Sequence, residues 1–141
     1  MLKRILVALN FTPAGRRALV EGLSLARKHR AQLHIFHALD CRLKELDCRD
    51  PGLIEVIEKT KRRFESEVKP ALSDFDDVSF GCLPAEPAQG VCQIARYIQA
   101  DLIVWGSRLH PAKICAGRMN DVGRTVLAQA PCPVLMISHR N

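Results

Sequence analysis

Two stretches of this chain, Ile5–Leu9 and Leu102–Trp105, are apolar at every position. A strand whose odd and even residues are all apolar has no face to give to water, so it must be covered on both sides. A parallel sheet with helices on each face meets that condition, and the rest of the chain supplies the parts. Strand one is expected over Lys3–Leu9. Thr12-Pro13 then opens a helix, with a hydroxyl N-cap and a proline at the first helical position, where its missing N–H costs nothing. Ala18, Leu19, Leu23 and Ala26 recur on one face of this helix, and Arg16, Arg17, Arg27 and Lys28 take the other.

The alternation continues. Strand two is expected over Gln32–Leu39, followed by a charged loop from Asp40 to Asp50. Pro51 opens a second helix with Leu53, Ile57, Phe64 and Val68 inward, and Pro70 lies near its end. Val78–Leu83 reads as a short, half-polar edge strand. Pro87 opens a third helix, with Val91, Ile94, Ala95 and Ile98 on one face. Asp101–Gly106 is a fourth, central strand. A basic loop runs from Ser107 to about Arg118. A fourth helix follows from about Asn120 to Gln129 with Val122, Val126 and Leu127 inward, and Val134–Ser138 is the last strand. The β-α alternation, four times over, predicts an α/β fold: an open five-strand parallel sheet with helices on both faces and right-handed crossovers. A single domain over residues 1–141 is expected.

Composition excludes several classes. No apolar run approaches the roughly 20 residues of a membrane span, and the N-terminal apolar run is too short for a secretory leader; a cytoplasmic location is expected. The six cysteines include no Cys-x-x-Cys pair, so they read as reduced thiols, with Cys41 and Cys48 the most open to oxidation. Their spacing does not suit zinc, and no metal is expected. His34 and His37 fall on opposite faces of a strand, which argues against a two-histidine site. His110 reads as solvated, and Trp105 as core. The formal charge of +6 permits anionic partners. With 5% aromatics and no recognition motif, the chain does not read as a nucleic-acid binder. In a doubly wound sheet, ligands bind beyond the carboxyl ends of the strands where the strand order reverses. Two segments qualify, Leu9-Asn10-Phe11-Thr12 and Gly106-Ser107-Arg108.

The chain resembles the universal stress protein family along its whole length. The segments that carry the resemblance are ILVALN with Thr12 and Ala18-Leu19, LHIFHAL, Ala85-Glu86-Pro87 with Val91 and Ala95, DLIVWGSR, and APCPVLMI. The resemblance implies an adenine-nucleotide alpha hydrolase-like sheet of order 3-2-1-4-5, with strands one and four side by side at the switch point. It also implies a homodimer paired through the Val134–Ser138 edge strand.

In nucleotide-binding members an Asp follows strand one. After strand four come Gly, two residues, Gly, nine residues, Gly, and then Ser or Thr; the glycines bring backbone N–H groups close to phosphates. Carried over residue by residue, the Asp is Asn10 and the first glycine is Gly106. The second glycine falls on Leu109. The last pair falls on Met119-Asn120 counted forward, or on Asn120-Asp121 counted back from Ala130-Pro131-Cys132, and Gly117 is out of register. Leu109 puts a side chain where backbone would meet phosphate, and Asp121 would add a like charge; Arg108, Lys113 and Arg118 would favour an anion. Two readings follow. One is a stress-associated, homodimeric binding or regulatory protein, not an enzyme, without strong ATP binding and with an unknown protein partner. The other is a nucleotide-binding member, with ATP as cofactor, that uses the loop after strand four. The candidate binding residues are Leu9, Asn10, Phe11, Thr12, Ala38, Gly106, Ser107, Arg108, Asn120 and Asp121.

Overall fold

A computed structural model describes residues 1–107 and 121–138. Its elements are β1 (Arg4–Ala8), α1 (Pro13–His29), β2 (Gln32–Leu39), α2 (Pro51–Arg63), α3 (Lys69–Leu72), β3 (Val78–Pro84), α4 (Pro87–Ile98), β4 (Leu102–Ser107), α5 (Asp121–Gln129) and β5 (Val134–Ser138). The five strands are all parallel and lie in the order β3-β2-β1-β4-β5, the order that the resemblance implies. Val7 pairs with Ile35 on one side and with Val104 on the other.

The expected coverage of both faces is present. Odd residues of β1 and β2 (Ile5, Val7, Leu33 and Ile35) pack with Val104 against Ala18, Leu19 and Ala26 of α1. Phe64, Val68 and Leu72 close the same layer. On the other face Leu6, Phe36, Ile103 and Trp105 meet Ala88, Val91 and Ala95 of α4 and Val126 of α5. Ile5, Leu6, Val7, Ile103 and Val104 are wholly removed from water, as the unbroken apolar runs require.

Three helices start as their sequences direct. A proline stands at the first position of each, and a side chain accepts from the first turn: Thr12 from Gly15, Asp50 from Gly52 and Leu53, and Glu86 from Gln89. Arg30 and Gln99, both left-handed, close α1 and α4.

Four local expectations are corrected. The Asp40–Asp50 loop contains a 3-10 turn, Cys41–Glu45, because the Asp40 carboxylate accepts from the Arg42 N–H at 3.0 Å. The second helix is not continuous: a π turn, Phe64–Val68, joins α2 to α3. Pro70 has no N–H to give and its ring crowds the carbonyl four residues back, so the helix widens by one residue before it, with Lys69 N–H bonded to Phe64. Asp101 precedes β4 rather than opening it; its carboxylate accepts from Lys3 and Arg4 N–H at 2.8 and 2.9 Å and so ties the two central strands together. Leu127, expected inward, is exposed, while Val126 is buried. Neighbouring helical residues point about 100° apart, so one short stripe cannot bury both. The Val122 side chain lies outside the described residues.

Gly22 shows how closely α1 is laid on the sheet. A Cβ there would lie 2.4 Å from Val7 Cγ2, and Val7 is fully buried. Alanine would contribute up to about 1 kcal/mol of helix propensity, but overpacking a filled core costs about 1–3 kcal/mol. Gly22→Ala is therefore expected to destabilise the protein by about 1–2 kcal/mol, measured as a lower urea midpoint at unchanged slope.

Candidate functional site

The switch point lies at the carboxyl ends of β1 and β4, which run side by side. After β1 the backbone turns through Phe11, whose φ of 55° is left-handed. That conformation costs a bulky L-residue about 1–2 kcal/mol, so the surroundings must hold it. His37 meets the Phe11 ring edge-on at 4.9 Å, and the Arg63 guanidinium lies over it at 4.4 Å. Contacts of these kinds are each worth about 0.5–1.5 kcal/mol, enough together to offset the strain. Arg63 is placed in turn by Glu67 of the π turn, which also pairs with Arg16 of α1 at 3.5 Å.

This turn delivers Asn10 and Thr12 to the start of α1. Asn10 Oδ1 accepts from the Thr12 backbone N–H at 3.3 Å and from the Thr12 hydroxyl. Thr12 Oγ1 accepts from Gly15 N–H at 3.1 Å. The helix start, an anion receptor when left open, is thus engaged by the chain's own groups. Leu9 is equally committed: its side chain is core, its N–H donates to Phe36 O at 2.9 Å, and its carbonyl lies 2.7 Å from His37 Nδ1. Ala38, half-buried, packs on the α4 side of the sheet.

Gly106 has a packing role that phosphate approach does not require. A Cβ on it would lie 2.2 Å from the Ala14 carbonyl oxygen, so only glycine lets the end of β4 pass under the first turn of α1. Ser107 is the last residue of β4, and its backbone is paired with Ser138. Arg17 of α1 reaches the Ser138 carbonyl at 3.4 Å. The structure thus brings Asn10, Phe11, Thr12 and Gly106 together around the start of α1. Asp121 opens α5. Arg108, Leu109, His110, Lys113, Gly117, Arg118, Met119 and Asn120 lie outside the described residues, as do both placements of the last Gly-Ser pair up to Asn120.

His37, Arg63 and Glu67 are the residues that sequence reasoning missed. In the sequence His37 reads only as a possible partner of His34 in a metal pair. A histidine at the carboxyl end of a buried strand, with a carbonyl to bond, is the signal that was available. His34 sits on the opposite face, its Nδ1 2.9 Å from Ser79 Oγ and its buried Nε2 without a partner. Among the described residues no group of three or more His, Cys, Asp or Glu could hold a metal. At the other end of the sheet an open groove of about 380 Å³ is lined by Arg27, Arg30, Asp74 and Phe75, far from this turn, and Arg27 is already paired with Asp74.

An open parallel sheet of this order, with helices on both faces, defines the doubly wound α/β class. The chain belongs to the universal stress protein family, whose model matches residues 1–138. It is 31% identical over 142 residues to the "Universal stress protein in QAH/OAS sulfhydrylase 3'region" of Thermus aquaticus, covering 97% of this chain and 99% of that one. Its fold is similar to that of hypothetical protein MJ0577, with a TM-score of 0.76 at 19% identity over 100% of this chain and 99% of the other. It is also similar to the universal stress protein from Archaeoglobus fulgidus in complex with dAMP, with a TM-score of 0.69 at 20% identity over 97% and 98% of the two chains.

Burial holds the His37 imidazole below its ordinary value of 6.5; the Leu9 carbonyl opposes this and Arg63 adds to it. His34 is lowered as well, by burial and by Arg4, against Asp77. Because the folded values lie below the unfolded one, the unfolded chain takes up these protons first. Their contribution is whole above about pH 6.5 and declines as the pH falls below it. Urea unfolding is expected to show lower stability at pH 5.5 than at pH 8, with the difference reduced in His37→Gln and part of it left to His34.

Proposed function

We propose that this chain is a single-domain, non-catalytic, homodimeric regulatory protein of the cytoplasm. It takes an adenine mononucleotide weakly at the switch point between β1 and β4 and does not hold ATP tightly. The observation that carries this reading is the self-capped start of α1. The Thr12 and Gly15 N–H groups are already bonded to Asn10 and Thr12, so α1 has little left for a triphosphate. Holding one would fall to the loop after β4, where the sequence has Leu109 in place of the second glycine. The dAMP complex of the Archaeoglobus fulgidus relative supports the ligand class. Asn10, Ala38, Gly106 and Ser107, with Arg108, Asn120 and Asp121 of the following segment, are the proposed contacts. The free thiols of Cys41, Cys48, Cys82, Cys92 and Cys132 suit a reducing compartment, and no helix of the described residues is long and apolar enough to cross a membrane.

Titration calorimetry with dAMP is expected to give a dissociation constant on the order of 100 μM, about −5.5 kcal/mol, and ATP is expected to bind no more tightly. ATP carried through native purification, or bound at micromolar affinity, would overturn the reading; so would release of phosphate from ATP above background.

β5 ends the sheet, leaving one row of backbone N–H and C=O groups for a partner. Leu135 on it is 37% exposed. Two copies paired along Val134–Ser138 about a two-fold axis would satisfy both edges at once. Leu135→Lys is expected to move the protein from dimer to monomer in sedimentation velocity. A variant that stays dimeric places the interface elsewhere.

A further inference from the structure

The groove at the amino-terminal end of the sheet combines a held backbone with charges that the chain itself does not use. It lies between the last turn of α1 and the segment that leads into β3, and has a volume of about 380 Å³. Its lining includes Ala26 and Ala31, both buried, and the half-buried Phe75. The Arg27 guanidinium pairs with Asp74 at 3.1 Å and lies 5.9 Å from the Phe75 ring, so these two charges cancel. Three charges remain. Arg30, Asp76 and Asp77 line the groove, are exposed, and form no ion pair among the described residues. His34, which feels the Asp77 charge, is kept from taking a proton by burial. The backbone sets where the three stand. Arg30 is the left-handed cap of α1, with its N–H bonded to the Ala26 and Arg27 carbonyls. The Asp77 carbonyl accepts from Leu33 N–H and the Asp76 carbonyl from Val78 N–H, both at 2.9 Å.

We infer that this groove is a binding site for a free basic amino acid, a molecule with one carboxylate and two cationic groups joined by an aliphatic chain. The charge count points to that class. Two unpaired carboxylates and one unpaired guanidinium are matched by two cations and one anion. The Arg30 fork takes the α-carboxylate. Asp76 and Asp77 take the α-ammonium and the distal cation, and the chain between them lies along Phe75, as such stems do on apolar surface. The carboxyl end of α1 adds partial negative charge, which also favours cations. An acidic amino acid carries the opposite charge balance, and a diamine without a carboxylate leaves Arg30 unmatched. The groove is separate from the switch point, so the inference stands or falls without the nucleotide reading.

The full-length protein, isotope-labelled for NMR, is titrated at constant ionic strength with L-lysine, with cadaverine (lysine without its carboxylate) and with L-glutamate. L-Lysine is expected to shift the Arg30, Phe75, Asp76 and Asp77 amides and to saturate on the order of 1 mM, because exposed charge pairs are weak singly. Cadaverine should bind roughly ten-fold more weakly for want of the Arg30 pair, and L-glutamate should leave these amides in place. Arg30→Asn suits the left-handed cap; it is expected to bring L-lysine down to the cadaverine affinity and to leave cadaverine unchanged. The double variant Asp76→Asn/Asp77→Asn is expected to lose the saturable shifts with both. L-Lysine and cadaverine binding alike, or neither giving a saturable shift, overturns the inference, as does Arg30→Asn binding L-lysine like the wild type. The comparison of the three ligands on the wild type decides the matter even where a variant fails to fold.

Discussion

β1 has neighbours on all four sides: β2 and β4 along its edges, α1 above and α4 below. Ile5, Leu6 and Val7 are wholly without contact with water. At roughly 1.5–3 kcal/mol for each large apolar side chain buried, this strand and its partner β4 form the part of the molecule that nothing else could replace. The rest follows from covering them. Helices must lie on both faces, so the crossovers must be long and the strands parallel. With one crossover passing to each side of β1, the strand order reverses between β1 and β4.

α1 is laid closely on these strands. Gly22 lets the helix rest on Val7, Gly106 lets β4 run under Ala14, and Gly15 makes room for Asn10. Three glycines that would read separately as a weak helix position, a phosphate position and a second weak helix position are one device for bringing backbone against backbone. The close approach also forces the sharp turn after β1. Its cost appears as a left-handed Phe11, and the aromatic and cationic contacts of His37 and Arg63 are what sustain it. The site and the core are therefore one mechanical unit. The π turn that Pro70 requires is the element that sets Glu67 between Arg63 and Arg16.

Much of this was legible in the residues. Thr12-Pro13 announces the start of α1 because a hydroxyl cap and a proline are locally sufficient. The unbroken apolar runs announce β1 and β4 as central. Val78–Leu83, half-polar, announces an edge. Other features were not legible. Leu127 looks as apolar as Val126, and only the placement of α5 against the α4 side of the sheet decides which is buried. Asp101 looks like the first residue of a strand until β1 is set beside it and offers two N–H groups. His37 looks like a stray histidine until the Leu9 carbonyl and the Phe11 ring are brought to it across the sheet.

The chain by itself determined the alternation of strands and helices, their caps, the pairing of buried faces, and, through its resemblance to the universal stress proteins, the strand order. These depend on periodicity and on short-range chemistry, which a linear string carries. The tertiary structure alone decided that Asn10 accepts from both the N–H and the hydroxyl of Thr12, that Gly106 is needed for helix packing, and that Phe11 can hold a left-handed conformation. Each of those rests on groups far apart in sequence meeting within a few ångströms, and such meetings exist only once the sheet has closed.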